Sequence, residues 1–309
     1  MIRHLLIPSL VVSAVHLLFS TPVFSADPWT LRDSESAGLI PGCETRSNIG
    51  AKDSQSLALL YVHGFSACPI DLEPIPSQLN SQGVGEQATI GIGSRISLRM
   101  SGHGIAGTEG LLLGSSEKWK AEVEEAAGYL KNSSKGLVLM GTSTGGSLVT
   151  AYALKNPDKV SGLILISPNF GLPRWDTELL LLPFGIGKWL TRLFVGQYRE
   201  WKAISDLQQK YWTTKYPASV LVEMMKAVEA SRSGDFENFN KPVLVIYCEN
   251  DNVVDAKAIH KYFSRFGSKK KQMIQGPCDE DPHVLAGEIL SPKSTPKVQE
   301  LIRGFIQNL

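Results

Sequence analysis

An excess of charge of either sign is missing from this chain. Its 31 lysines and arginines stand against 30 aspartates and glutamates, a net charge of +1, so no nucleic-acid partner is expected. Cysteine is scarce. The 4 present, Cys43, Cys68, Cys248 and Cys278, form no pair with metal-ligand spacing, and neither a metal nor another cofactor is expected. Internal repeats and low-complexity segments are absent, so neither a solenoid nor a disordered tail is indicated.

The most apolar stretch lies at the amino end. Arg3 and His4 precede Leu5-Leu6-Ile7 and a mostly apolar run to Phe19, and small residues follow from Ser20 to Ala26. That is the basic region, hydrophobic region and cleavage site of an export leader, with the cut expected after Ser25. The rival is an uncleaved membrane anchor, since apolar character stretches to Phe24. Ser9, Ser13, His16 and Pro22 count against it. An exported protein, periplasmic or secreted, is therefore expected. An even number of cysteines behind such a leader suggests disulfides. The expected pairs are Cys248 with Cys278, closing neighbouring strands near the site, and Cys43 with Cys68.

Beyond the leader, strand-length apolar runs alternate with helical patterns. Leu57 to Val62, Leu137 to Met140, Leu163 to Ile166 and Val243 to Cys248 are continuously apolar, as strands buried on both faces of a parallel sheet are. Weaker strands are expected within Ile90 to Leu98 and Lys271 to Gln275. Helices are expected over Asp71 to Leu79, over Ser116 to Asn132 with Trp119, Val123, Ala126 and Leu130 on one face, and from Pro296 onward. From Gly171 to about Phe239 the alternation stops, and an aromatic-rich, all-helical block takes its place. The organisation expected is a leader at 1–25, an irregular lead-in at 26–56, an α/β core at 57–170 and 240–309, and a helical cap insertion at 171–239. Such a chain makes a doubly wound, mostly parallel sheet carrying a cap, with ligands above the carboxyl ends of the strands.

Between a strand and a helix lies Gly141-Thr142-Ser143-Thr144-Gly145. A serine in so sharp a turn needs Gly141 and Gly145 for close backbone approach, and its hydroxyl stands exposed beside the helix amino end. Ser143 is thus a candidate nucleophile, and it needs a base. Of 6 histidines, His4 and His16 lie in the leader. His63 is better suited to supporting its own loop, His103 to a structural bond in a turn, and His260 to a surface helix. His283, in the loop after the last strand, remains. Asp251 directly follows a buried strand and can fix the histidine tautomer. Glu249, Asp255 and the Asp279 to Asp281 cluster compete with it, although Asp255 suits a helix cap. The backbone N–H groups of Phe65 and Thr144 are the expected oxyanion donors.

The motifs Tyr61-Val62-His63-Gly64-Phe65, Ser101-Gly102-His103-Gly104, Gly141 to Gly145, Asp251-Asn252-Val253-Val254 and Pro282-His283-Val284-Leu285 together resemble the α/β-hydrolase superfamily. Within it they look most like the bacterial carboxylesterase and monoacylglycerol lipase group. The resemblance implies Ser143 as nucleophile, Asp251 as orienting acid and His283 as base. Thr142 and Thr144 depart from it, standing where many relatives carry His, Met or Gln.

The expected reaction is hydrolysis of a short- to medium-chain or monoacylglycerol-like ester through an acyl-enzyme. The cap selects the acyl chain, and its stretch Leu179 to Ile186 makes transient contact with lipid surfaces. One alternative is a peptidase or amidase resembling proline iminopeptidases, holding an amine with Glu178, Glu200 or Glu223. Another is a non-catalytic binding protein on the same scaffold.

Overall fold

A computed structural model describes Trp29, Arg32, Asp33 and residues 36–50, 53–79, 91–132 and 134–309. The expected leader lies outside the described residues. The strands are β1 (Arg46–Asn48), β2 (Asp53–Val62), β3 (Ile92–Leu98), β4 (Ser134–Thr142), β5 (Gly162–Ile166), β6 (Tyr198–Glu200), β7 (Lys215–Pro217), β8 (Val243–Tyr247) and β9 (Lys271–Gln275). The helices are α1 (Ile75–Gln78), α2 (Ser116–Lys131), α3 (Thr144–Lys155), α4 (Ile186–Phe194), α5 (Asp206–Tyr211), α6 (Val220–Arg232), α7 (Ala256–Arg265) and α8 (Thr295–Gln307).

Seven strands form one sheet in the order β1-β3-β2-β4-β5-β8-β9, parallel except for β1 at the edge. The continuous apolar runs are explained by two buried faces. Ala58, Leu60, Val62, Leu137, Leu139, Leu163 and Leu165 turn to one face, with Trp119, Val123, Leu148 and Ile259 packed there. Their alternates Leu57, Leu59, Tyr61, Val138, Met140, Ile164 and Ile166 turn to the other, with Leu72, Ile75, Val298 and Ile302. Each such fully buried aliphatic side chain stabilises the fold by about 1.5–3 kcal/mol.

Helix ends follow local chemistry. The Ser115 side chain accepts the Lys118 N–H to start α2, and Asp255 accepts the Lys257 N–H to start α7. Val254 and Ile259, both fully buried, staple that second turn.

Two expectations are corrected. The helix over Asp71 to Leu79 is broken into a 3-10 turn at Pro69–Leu72 and the short α1, because Pro74 has no N–H to continue the ladder. The insertion is not all-helical. Beside α4, α5 and α6 it holds an antiparallel pair, β6 with β7, where Tyr198, Tyr216 and the neighbouring threonines favour extended backbone. The hairpin also reaches the core, since the Thr213 N–H donates to the Ser66 carbonyl at 2.8 Å.

Candidate active site

Ser143 follows β4 and occupies the N-cap position of α3 with φ 52° and ψ −121°, a positive-φ backbone that costs an L-residue strain. Its surroundings enforce the turn. The Ser143 N–H donates to Ile166 O at 3.0 Å, and the Asn169 N–H donates to Ser143 O at 3.0 Å. A Cβ on Gly141 would stand 2.6 Å from Gly145 backbone atoms, and one on Gly145 would stand 2.1 Å from Val62 O. The start of α3 can therefore fold back on the end of β4 and lie against the end of β2 only with glycine at both positions.

Asp251 and His283 meet, although they come from the loops after β8 and β9. His283 Nδ1 lies 2.8 Å from Asp251 Oδ2. The Asp251 side chain is fully buried and that of His283 is 12% exposed. Asp251 Oδ1 also accepts the N–H groups of Val253 and Val254 at 2.7 and 2.9 Å, so the same residue shapes its turn and holds the ring. The competing acids are engaged elsewhere. Glu249 lies 2.9 Å from His260 Nε2, Asp255 caps α7, and Glu280 accepts the Lys293 and Ser294 N–H groups. Asp281 accepts the backbone N–H of His283 and of Val284; it shapes the loop and does not touch the ring. With Nδ1 donating to Asp251, the ring leaves Nε2 as its proton acceptor.

The loop His63-Gly64-Phe65-Ser66 runs beside the serine, and a Cβ on Gly64 would stand 3.4 Å from Ser143 Cβ. His63 supports this loop: Nδ1 is 2.8 Å from Gly64 O, and Nε2 accepts the Met100 N–H at 3.2 Å. Burial, then the His103 neighbour, pushes the His63 ring well below the usual histidine range. His103 is pushed down to about 3, chiefly by burial, with Nδ1 3.3 Å from Ser101 O. Both rings are neutral at physiological pH and serve as scaffolding. Phe65 packs edge-on to His103, Trp119 and the cap's Tyr216. Among the described residues no protein group takes up the N–H of Phe65 or of Thr144.

One feature behind this loop was not foreseen from the sequence. Tyr61, Asp71 and Thr142 form a buried polar chain, with the Tyr61 hydroxyl 2.5 Å from Asp71 Oδ1 and 3.0 Å from Thr142 Oγ1. The signal for it was a tyrosine in an otherwise aliphatic strand, whose buried hydroxyl requires a partner. It also accounts for Thr142. Both disulfides expected from the sequence are present, Cys43–Cys68 behind the loop and Cys248–Cys278 between the acid and histidine loops. No group of residues able to hold a metal occurs among the described residues.

Residues 97–277, more than half of the chain, match the family described as serine aminopeptidase, S33. A thermostable monoacylglycerol lipase from a Bacillus species is 23% identical over 222 residues, covering 71% of this chain and 80% of the relative. Among solved structures, that of a metagenome-derived lipolytic enzyme superposes with a TM-score of 0.70 at 17% identity, covering 88% of this chain and 100% of the other. The Paleococcus ferrophilus monoacylglycerol lipase superposes with a TM-score of 0.61 at 16% identity, covering 86% and 99%. The fold shared with these structures is that of the α/β-hydrolases, as the sequence motifs led one to expect.

Proposed function

The chain belongs to the serine aminopeptidase, S33, family, and from that premise we propose that it is a carboxylic ester hydrolase working through an acyl-enzyme on Ser143. The observation that carries the reading is the buried Asp251–His283 hydrogen bond of 2.8 Å, at the strand ends where the strained serine also lies. His283 Nε2 takes the Ser143 proton as the hydroxyl oxygen attacks the ester carbonyl. The Phe65 and Thr144 N–H groups receive the developing oxyanion, each donor being worth roughly 10²–10³ in rate at such sites. The imidazolium, held by Asp251, gives its proton to the departing alcohol. Water, deprotonated by the same ring, then attacks the acyl-enzyme and releases the acid and Ser143.

An ester is favoured over an amine-bearing peptide by the state of the cap carboxylates. Glu178 is 2.7 Å from Arg232, Glu200 2.9 Å from Lys215 and Glu223 2.9 Å from Lys226, so each already has a cation. The Bacillus relative, named as a monoacylglycerol lipase, supports an acylglycerol-like substrate. So does the cap surface. Exposure begins at Leu182, later than the sequence suggested, and continues into α4. Phe184 is 98% exposed and Trp189, Leu193 and Phe194 at least 60%, a face suited to transient contact with a lipid surface. Equal activity on soluble and emulsified esters would remove the surface contact from this account. Export through the leader, cleaved after Ser25, is supported by the two disulfides.

Ser143→Ala is expected to abolish both turnover of p-nitrophenyl acyl esters and labelling by a fluorophosphonate, whereas amino-acyl anilides should be poor substrates of the wild type. Labelling that survives in Ser143→Ala overturns the assignment.

A further inference from the structure

Two buried side chains grip the peptides leading to the Phe65 N–H. His63 Nδ1 holds the Gly64 carbonyl at 2.8 Å. Because a trans peptide is planar, with its C=O and N–H opposed, fixing that carbonyl fixes the direction of the Phe65 N–H. The preceding peptide is held differently: the Gly64 N–H donates to Asp71 Oδ2 at 3.2 Å. Gly64, with no side chain, does little to restrict the angle between the two planes, so the angle is set from outside.

Asp71 is itself held. Its Oδ1 accepts the Tyr61 hydroxyl, which also contacts Thr142 Oγ1, and all of these residues are buried. A continuous chain of hydrogen bonds therefore runs from Thr142, which precedes the nucleophile, to Gly64, which precedes the oxyanion donor. We propose that Asp71 is a positioning residue for this reaction: its carboxyl, backed by Tyr61 and Thr142, sets the Phe65 N–H relative to the Ser143 hydroxyl. The proposal rests on the roles given to Ser143 and Phe65 above.

The charge on Asp71 matters as well as its place. A Cβ on Gly64 would stand 3.9 Å from Asp71 Oδ2 and 3.4 Å from Ser143 Cβ, so only the space over Gly64 separates the carboxyl from the Ser143 side chain. An ionised carboxylate there opposes the growing oxyanion; a neutral acid does not. The titratable groups around it are Tyr61 from β2, His63 across Gly64, and Glu73 on its own turn, with Arg46 of β1 lying 3.7 Å from Glu73. Burial pushes the Asp71 carboxyl up to about 7, so its charge changes near neutral pH.

The test compares Asp71→Ala, Asp71→Asn and Tyr61→Phe in the full chain by kcat and KM on a p-nitrophenyl ester and by fluorophosphonate labelling rate from pH 5 to 9. Asp71→Ala is expected to lower kcat and the labelling rate about 10²-fold, the scale of a misplaced catalytic group, with KM little changed. Asparagine keeps an acceptor for Gly64, so Asp71→Asn should recover most of that loss. The wild type is expected to decline in kcat/KM above about pH 7, and Asp71→Asn should lack that decline. Tyr61→Phe should fall between the two. Wild-type kcat in Asp71→Ala, or an unchanged alkaline decline in Asp71→Asn, overturns the proposal. If the alanine variant does not fold, the asparagine pH profile decides alone. Failure of the underlying reading is seen separately, as labelling that persists in Ser143→Ala.

Discussion

Asp71 does two opposed things at one position. It holds a backbone N–H that the site needs, and it buries an acid whose lost hydration outweighs the hydrogen bonds it receives from Tyr61 and Gly64. Its carboxyl, raised from 3.8 to about 7 by burial, binds its proton more tightly in the folded chain than in the unfolded one. The stability due to this site is complete below about pH 3.8 and is lost as pH rises through about 7. Asp71→Asn removes the ionisation, so its stability relative to the wild type is expected to increase from pH 4 to pH 7 and then level off. Urea midpoints at pH 5 and pH 8 check this. A difference between the two proteins that is the same at both pH values contradicts it.

At the scale of elements, the loops after β8 and β9 act as one piece. Cys248 lies three residues before Asp251 and Cys278 five before His283, and the bridge between them spans 30 residues of chain. By chain entropy such a closure contributes about 3–4 kcal/mol. The double variant Cys248→Ser with Cys278→Ser is expected to lose about that much in denaturant unfolding, and to lose kcat at temperatures well below its unfolding as the Asp251–His283 distance loosens. Retained kcat would make the bridge a matter of stability alone.

These elements also mark how far the sequence could be read. Strands buried on both faces leave unbroken apolar runs, and parallel strands put their loops at one edge, so Ser143, Asp251 and His283 could be assigned to the same end of the sheet. Glycines at Gly141 and Gly145 carry a steric signal that survives in the sequence. What could not be read was set by long-range contact. The β6–β7 hairpin owes its place to the Ser66 carbonyl, and Asp71 looks like any turn aspartate until Tyr61 and Gly64 close around it. The exposed cap face was placed too early because Leu180 is buried by Val222, Met224 and Met225, partners that lie more than 40 residues away.

For the molecule as a whole, the lead-in is part of the core and not a loose preface. The Arg99 guanidinium, 1% exposed, pairs with Asp33 at 2.8 Å and also donates to His103 O and Ser36 Oγ. One side chain thereby joins the lead-in, the end of β3 and the turn beneath Phe65. Breaking one partner of a buried pair strands the other charge, and Arg99→Met is expected to cost about 3–5 kcal/mol. The double replacement Arg99→Met with Asp33→Leu should recover much of it, as chemical denaturation can measure.

The two bridges join the first cysteine to the second and the third to the fourth, so neither encloses nor crosses the other. If the chain is exported amino end first, as proposed above, Cys68 would reach the oxidising space with Cys43 as its only partner there, and that knotless link could close before Cys248 emerges. Correct pairing is then a matter of arrival order. Such a chain has little need of shuffling catalysts, and its yield should depend on the supply of oxidant far more than on any isomerase.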